Sequence, residues 1–227
     1  MVIAAGLLSG TAVAAARANA PGDGPCKVLV EVAATYPVRT AKDAVPGGKA
    51  RLALRIDPVG RLDDALITAY SLPEFAAAAM TAVRQWKFTP SRVDGDPAFG
   101  ILEVTFLFDA NKPLASTRVG PRDETYFEGE KYQYEAVYPG QLDQAPTPAH
   151  TAAPTFPSDG TGRGLTGSVV VQFYIDETGR VRMPEIVSAD HPELGWIVLP
   201  AIVKWRFEPP LRKGRPVLVK AEQTFAF

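Results

Sequence analysis

The chain has 227 residues, a formal net charge of −1, one cysteine and two histidines. A net charge so close to zero gives neither the basic surface that nucleic acid requires nor a polybasic face for anionic lipid. A single cysteine excludes an intrachain disulfide and a cysteine-based zinc site. We therefore expect no nucleic-acid partner, no metal and no cofactor.

The first residues predict a targeting segment. Val2 to Ala16 is apolar and rich in small residues, and Ala14-x-Ala16 has the spacing of a cleavage site. We predict a signal peptide over residues 1–20 and export from the cytoplasm. A truncated membrane anchor is the alternative, because no Lys or Arg precedes the apolar run and the true start could lie upstream of Met1. Cys26 is expected to be an unpaired thiol in a loose segment.

Residues 27–110 predict a first small domain. Apolar and polar side chains alternate over residues 51–56, the period of a half-buried strand. Residues 57–61 form a tight turn, because an Asp side chain accepts hydrogen bonds from turn amides and Gly takes the positive φ. Residues 62–70 form the returning strand of this hairpin.

A helix and a third strand complete the first domain. Ser71-x-x-Glu74 has the pattern of a capping box, and the Ala-rich residues 75–86 predict a helix that ends before Pro90. Trp86, at the end of this helix, is expected to be a core anchor rather than a ligand platform. Alternation resumes over residues 102–108, which predicts a strand that is apolar on one face.

A connecting segment spans residues 111–153. Its first half carries Tyr126, Phe127, Tyr132 and Tyr134 among acidic residues, so we expect part of it to pack on one of the domains. Its second half, with residues 146–157 rich in Pro, Ala and Thr, is predicted to be an extended spacer.

The second domain, residues 154–227, repeats the first. A shift of 119 positions aligns residues 51–108 with 170–227, and 17 of these 58 pairs are identical. Such a repeat fixes the domain count at two. Asp190-x-x-Glu193 replaces the capping box. Pro200 lies in the predicted helix, where it removes a backbone hydrogen bond, so we expect a kink or a helix that restarts at Pro200.

The fold class follows from the order strand, turn, strand, helix, strand. We predict an α+β protein of two tandem small domains, each a three-stranded antiparallel sheet covered by one main helix. The third strand of each copy is expected to lie at the edge of its sheet, with unpaired backbone N–H and C=O groups. The residues of these two strands are Leu102, Glu103, Val104, Thr105, Phe106, Leu107 and Phe108, and Ala221, Glu222, Gln223, Thr224, Phe225, Ala226 and Phe227.

No motif of catalysis is present. The sequence has no G-x-S-x-G, no H-E-x-x-H and no phosphate-binding glycine loop. Asp57 and Asp176 lack the alternating oxygen donors of a calcium loop, Glu74 and Glu193 occupy capping positions, and His191 has no acidic or Cys partner. We therefore predict that the protein is not an enzyme and has no catalytic residues.

Several motifs recur in the same order in both copies. The first copy contains Tyr36-Pro37, Gly48, Ile56-Asp57-x-x-Gly60-Arg61, Val83-x-x-Trp86-x-Phe88-x-Pro90, Gly95-x-Pro97 and Phe106-x-Phe108. The second contains Phe156-Pro157, Gly167, Ile175-Asp176-x-x-Gly179-Arg180, Ile202-x-x-Trp205-x-Phe207-x-Pro209, Gly214-x-Pro216 and Phe225-x-Phe227. In these motifs the chain resembles the TonB C-terminal domain family.

The resemblance implies a periplasmic module of a Gram-negative bacterium. In that family the domain ends an energy transducer, grips the extended N-terminal peptide (the TonB box) of outer-membrane receptors, and supports transmembrane transport such as siderophore uptake. The grip resembles β-augmentation, in which the peptide pairs with the domain's last strand. The implied binding edges are 102–108 and 221–227. An inner-membrane proton-channel complex would be a further partner if an anchor lies upstream.

Two functions remain open from the sequence. The first is a periplasmic binding protein that engages receptor peptides and contributes to TonB-dependent transport across the outer membrane; anchoring in the inner membrane is its alternative location. The second is a structural or scaffold module with no transport role, whose edge strands pair within the chain or between two chains in a homodimer.

Overall fold

The computed structural model describes residues 23–37, 45–120, 132–156 and 164–227. Contacts divide this part of the chain between Glu135 and Ala136 into two domains, each with its own sheet, helix and core. The signal peptide predicted over residues 1–20 lies outside the described ranges. Within those ranges, no helix has the length and apolar character needed to cross a membrane.

The first domain is built around a five-stranded antiparallel sheet in the order β8-β7-β2-β3-β9. The predicted hairpin and third strand are its three central strands, and α1 packs on two of them, β2 and β3. Its elements are β1 (Lys27–Val30), β2 (Gly47–Ile56), β3 (Leu62–Tyr70), α1 (Pro73–Val83), β4 (Lys87–Thr89), β5 (Ser91–Val93), β6 (Asp96–Ala98), β7 (Gly100–Asp109), β8 (Ser116–Val119) and β9 (Tyr134–Glu135).

The core of the first domain lies between the sheet and α1. Alternate residues of β2 and β7 face it, as period-two strands require. Trp86 is buried there against Phe88 and Phe106, so the prediction that it is a core anchor is confirmed. The residues of β2, α1 and β7 that are buried in this core are Ala50, Leu52, Leu54, Ile56, Phe75, Ala76, Ala79, Ala82, Val83, Leu102, Val104, Phe106 and Phe108.

The second domain has a three-stranded antiparallel sheet in the order β12-β11-β16, covered by α2. The α+β class with two tandem domains is therefore confirmed. Its elements are a 3-10 turn (Pro139–Gln141), β10 (Pro148–His150), β11 (Ser168–Ile175), β12 (Val181–Ala189), α2 (Pro192–Ile202), β13 (Arg206–Phe207), β14 (Leu211–Arg212), β15 (Arg215–Pro216) and β16 (Val219–Ala226).

Each domain contains an N-terminal arm, residues 23–32 in the first and 143–152 in the second, so that the arm is itself repeated, now with a shift of 120. In the first domain β1 pairs with β4, and in the second β10 pairs with β13. The indole N–H of Trp86 donates to the Val32 carbonyl at 2.8 Å, and that of Trp205 donates to the Ala152 carbonyl at 2.9 Å. A buried indole N–H requires an acceptor, and the arm supplies it in both copies.

The arm also holds a short hairpin, the one before β7 in the first domain and the one before β16 in the second. The Asp23 carboxylate accepts from the amide of Gly95 at 2.8 Å. In the second domain the Asp143 carboxylate accepts from the amides of Lys213 and Gly214 at 2.7 and 2.8 Å. These two amides lower the pKa of Asp143, because they stabilise its ionised form.

The two predicted capping boxes are wrong. The N-caps are Leu72 and His191, and neither makes a side-chain capping bond. Ser71 Oγ instead exchanges hydrogen bonds with the backbone of Lys49, and the Asp190 carboxylate accepts from the amide of Ser168 at 2.7 Å. Both side chains tie the end of one strand to the start of its neighbour, so cross-strand amides displace the helix amides as their partners.

Of the two alternatives predicted at Pro200, a kink or a restart of the helix, the restart is wrong. The helix α2 runs without a break from Pro192 to Ile202, with Pro200 inside its last turn. A proline there removes only one intrahelical bond close to the end of the helix, where the burial of Val198, Ala201 and Ile202 holds the backbone in place.

Cys26, which was expected in a loose segment, and part of the segment predicted to be an extended spacer both pack on a domain core. Cys26 is buried in the first core, and its amide donates to Ser91 Oγ at 2.9 Å. The spacer predicted over residues 146–157 contains β10, and Ala152 and Phe156 pack on the second core. Residues rich in Pro, Ala and Thr favour an extended backbone, and an extended segment can pair with an exposed strand.

Candidate functional site

One of the two predicted binding edges, residues 221–227, forms the outer edge of β16. The strand β16 lies at one end of its sheet and pairs with β11 on its inner side. On its outer side, the Lys220 amide donates to the Val137 carbonyl at 2.8 Å, and the Val137 amide donates to the Leu218 carbonyl at 2.9 Å. Even-numbered residues of this strand therefore point their backbone groups away from β11, because direction alternates along a strand.

Beyond Val137 the same outer side carries the backbone groups of Glu222, Thr224 and Ala226, which we call the β16 edge. Within the described residues no strand pairs with these three. Alternate side chains of the strand are buried in the core, among them Ala221 and Phe225. The β16 edge is thus a rigid strand with outward-facing N–H and C=O groups, the geometry that accepts a further strand.

Gln223 is one of the residues predicted for this edge, and its side chain has a role there that was not predicted. It is 6% exposed, and its Nε2 donates to the Thr224 carbonyl at 2.8 Å. Its counterpart in the first copy is the apolar Val104. A polar residue in an apolar register position was the available signal. Its amide group shields one outward carbonyl, so an incoming strand must share that oxygen with it.

The second predicted edge, over residues 102–108, is not a sheet edge in the structure. The strand β8 pairs with β7 from Val104 to Leu107, and the Gly120 amide donates to the Glu103 carbonyl at 2.9 Å. The expectation of an exposed third strand in the first domain is therefore wrong. No sequence pattern predicts this pairing, because β8 is four residues long and its side chains show no apolar alternation.

The outward backbone groups of β7 belong to Glu103, Thr105 and Leu107, which we call the β7 edge. The bond from Gly120 to Glu103 fixes the register, so Thr105 opposite Arg118 and Leu107 opposite Ser116 are hydrogen-bonded pairs as well. With the shift of 119 these residues correspond to the β16 edge. The two copies present the same edge, and they differ in what lies beside it.

The connecting segment covers part of the first sheet on the face opposite α1. The ring of Tyr132 lies 4.7 Å from Lys49 Nζ and 5.6 Å from the guanidinium carbon of Arg51, and Glu135 pairs with Arg51 at 2.9 Å. On the α1 face, Tyr134 of β9 stacks on Tyr70, which packs against the first core, with ring centroids 5.1 Å apart. The expectation that part of this segment packs on a domain is confirmed for Tyr132 and Tyr134. Tyr126 and Phe127 lie outside the described residues.

The acidic residues considered as ligands have structural roles. The carboxylates of Asp57 and Asp176 accept hydrogen bonds from amides of their own turns. Across the described ranges, no cluster of three or more His, Cys, Asp or Glu could hold a metal ion.

Comparisons with known proteins match the chain to a family model and to a solved structure. The family model described as Gram-negative bacterial TonB protein C-terminal matches residues 32–110 and 152–227, more than half of the chain. A solved structure similar to this chain is the solution NMR structure of Pseudomonas aeruginosa TonB CTD, at 30% identity over 36% of this chain and 84% of that chain, with a TM-score of 0.31. No curated protein matches the chain. Members of the matched family are non-enzymatic interaction modules and are generally periplasmic. The chain belongs to the TonB C-terminal family, as its repeated motifs indicated.

Proposed function

We propose that this protein is a TonB-family binding protein of the periplasm and that it is not an enzyme. A cleaved signal peptide directs its export to that compartment. It binds the extended N-terminal peptide of an outer-membrane receptor at the β16 edge and so contributes to TonB-dependent transport. The observation that supports this is the row of outward backbone groups at Glu222, Thr224 and Ala226, which no described strand pairs with.

Strand addition at this edge requires backbone groups rather than particular side chains. A peptide that pairs with β16 would receive a bond from the amide of each outward residue and donate one to each outward carbonyl. Proline at position 224 removes one outward N–H and leaves the bonds to β11 in place, because odd-numbered residues make those bonds. Edge strands tolerate proline where the N–H faces solvent.

The test is a titration of the full chain with TonB-box-type peptides, followed by calorimetry and by amide hydrogen exchange. We expect binding that protects the amides of Glu222, Thr224 and Ala226. Thr224→Pro should abolish binding, whereas Thr224→Val, which keeps the N–H and the β-branched shape, should retain it. Exchange of the β11 amides checks that both variants are folded. Failure of the folded native chain to bind any such peptide would overturn the proposal.

The scaffold function uses the same edge with another occupant. Two copies of β16 could pair with each other across a two-fold axis, since an antiparallel edge is self-complementary. For this alternative we expect sedimentation to give a dimer. Thr224→Pro should dissociate the dimer, whereas added TonB-box-type peptide should not. A monomer over the same concentration range excludes this alternative.

A further inference from the structure

The helix α2 has a second apolar face, which points away from its sheet. One stripe along this face, which we call the α2 stripe, contains Trp196, Leu199, Pro200 and Val203, at the spacing i, i+3, i+4 and i+7. Trp196 is 62% and Val203 47% exposed, and Pro200 is exposed as well. Val203 continues the stripe beyond the last residue of α2, because its backbone is helical and its amide donates to the Leu199 carbonyl at 3.3 Å.

The fold does not require this stripe. The opposite side of α2 supplies the second core. At the three exposed positions of the stripe, α1 carries Ala77, Thr81 and Arg84 instead, and the first domain still packs its helix on its sheet. Large apolar side chains in one exposed patch, with an aromatic ring among them, are typical of surfaces that bind another molecule. The α2 stripe therefore indicates a docking surface on the second domain that α1 does not reproduce.

Charges of opposite sign lie at the two ends of the stripe. Glu193 is in the first turn of α2, and Lys204 follows the C-cap, with its amide bound to the Ala201 carbonyl at 3.1 Å. The two charged residues are 11 positions apart (204 − 193), about three helical turns, so both lie on the same side of the stripe. A helix that docks here antiparallel must therefore present a base beside Glu193 and an acid beside Lys204.

The helix that meets this requirement is α2 of a second copy of the chain. A two-fold axis reverses the direction of the helix but keeps each side of the stripe in place, so Glu193 of each copy faces Lys204 of the other. The same axis sets Trp196 against Val203, since both pairs are centred between residues 198 and 200. In a parallel pair the two Glu193 carboxylates would face each other, and like charges in contact are unfavourable. The stripe and its charges are thus self-complementary in the antiparallel arrangement.

We propose that the α2 stripe is a homodimer interface, in which the α2 helices of two copies of this chain pack antiparallel. A helix of 11 residues is about 16 Å long, so the interface is smaller than the roughly 1,600 Å² of a stable complex and the dimer forms reversibly. The interface is separate from the β16 edge, because α2 packs on β12 and β11, and it does not depend on the proposed peptide binding.

The test is sedimentation of the full chain from about 1 μM to 1 mM, with the dissociation constant of the dimer as its readout. We expect the native chain to pass reversibly from monomer to dimer over this range. Trp196→Ala should raise the dissociation constant at least about tenfold, because a buried Trp carries a large share of an interface. Phe99→Ala, which removes a 57% exposed ring from the first domain, is the matched control and should leave it unchanged. Thr224→Pro, at the β16 edge, should leave it unchanged as well.

Charge variants test the antiparallel arrangement. Lys204→Glu places a carboxylate opposite Glu193 and should raise the dissociation constant about tenfold. The double variant Glu193→Lys with Lys204→Glu restores opposite charges across the interface and should return the dissociation constant to the native value. Thermal unfolding at the lowest concentration checks that each variant is folded.

Three results would overturn the inference. The first is a native chain that stays monomeric over the whole range, and the second is a folded Trp196→Ala chain that dimerises as well as the native one. The third is a double charge variant that dimerises as weakly as Lys204→Glu, which would exclude the antiparallel pairing. A dimer that Thr224→Pro dissociates and Trp196→Ala does not would belong to the β16 edge.

Discussion

Asp57 and Asp176 occupy the same position in the two hairpin turns and bind the same pair of amides. The Asp57 carboxylate accepts from Val59 and Arg61 at 3.0 and 2.8 Å. The Asp176 carboxylate accepts from the Thr178 and Arg180 amides, each at 3.0 Å, and also from the Thr178 hydroxyl at 2.6 Å. Such a turn acceptor fixes the register of the two strands that it joins.

Ionised Asp176 is expected to stabilise the second domain. Burial alone would raise its pKa, but hydrogen bonds from the Thr178 hydroxyl and from the Arg180 and Thr178 amides, with Arg182 nearby, together outweigh burial and lower it. Because the folded pKa lies below the unfolded value of about 3.9, this contribution is present above that pH and is lost as the pH falls through the folded pKa.

We predict that Asp176→Asn lowers the free energy of unfolding of the second domain by about 1–2 kcal/mol at pH 7. The difference from the native chain should shrink as the pH approaches 3. Urea unfolding, followed through Trp196 and Trp205 in a Trp86→Phe background, measures it. Glu208→Gln, at an exposed position, serves as the control and should give no such pH dependence. A difference that stays constant from pH 7 to pH 3 would contradict the prediction.

Gly179 and Gly214 both have positive φ, at 83° and 70°, but differ in their surroundings. A Cβ at Gly179 would lie 1.9 Å from the Phe207 carbonyl oxygen, whereas nothing lies within 4 Å of one at Gly214. We predict that Gly214→Ala costs about 1 kcal/mol of backbone strain and that Gly179→Ala costs distinctly more. Thermal unfolding of the two variants compares them directly. Equal losses of stability in the two variants would contradict the prediction, because they would show that the Gly179 turn accommodates a Cβ with no additional free-energy cost.

At the scale of elements, the strands and helices with regular burial were predictable and the short peripheral strands were not. Alternation indicated β2, β7, β11 and β16 because each buries one face. The strands β8 and β9 are four and two residues long, too short for a period to mark them. The arms carry a weak repeat, and the stronger clue was physical: two buried indoles each require an acceptor. The β16 edge could be predicted from the order of the strands, whereas the pairing of β8 with β7, which closes the β7 edge, could not.

The helix α2 tolerates Pro200 because tertiary contacts hold its last turn. The residue of α1 that corresponds to Pro200 is Thr81, whose hydroxyl donates to the Ala77 carbonyl at 2.9 Å. We predict that Pro200→Ala stabilises the second domain by about 1–3 kcal/mol, since it restores an intrahelical bond at an exposed position. Thr81→Ala should change the first domain much less. Urea midpoints measure both, and an unchanged midpoint for Pro200→Ala would mean that the freed carbonyl of Trp196 is already satisfied.

At the scale of the whole molecule, the arms determine where the domains begin. The family match starts at residues 32 and 152, whereas the arms begin earlier, with Asp23 and Asp143 bound to their hairpins. Residues 136–142 also belong to the second domain, because Val137 is buried in its core and pairs with Val219. A division at residue 153 would therefore remove part of the second fold.

We predict that a fragment of residues 136–227 folds cooperatively and that one of residues 154–227 is much less stable. The shorter fragment loses Val137, the strand β10 and the carbonyl of Ala152 that accepts from Trp205. Circular dichroism and thermal unfolding of both fragments test this. Comparable melting temperatures would show that the arm contributes nothing to the fold.

The turn between β7 and β8 has a consequence for any protein assembled from tandem modules of this kind. In both domains the residues that follow the corresponding strand decide whether another strand of the chain pairs with its outer side, as β8 does with β7. A connector that reverses direction covers the edge of the sheet, and one that leads away leaves it uncovered. A few residues inserted or removed in a connector would therefore change how many sheet edges such a protein exposes without altering any module.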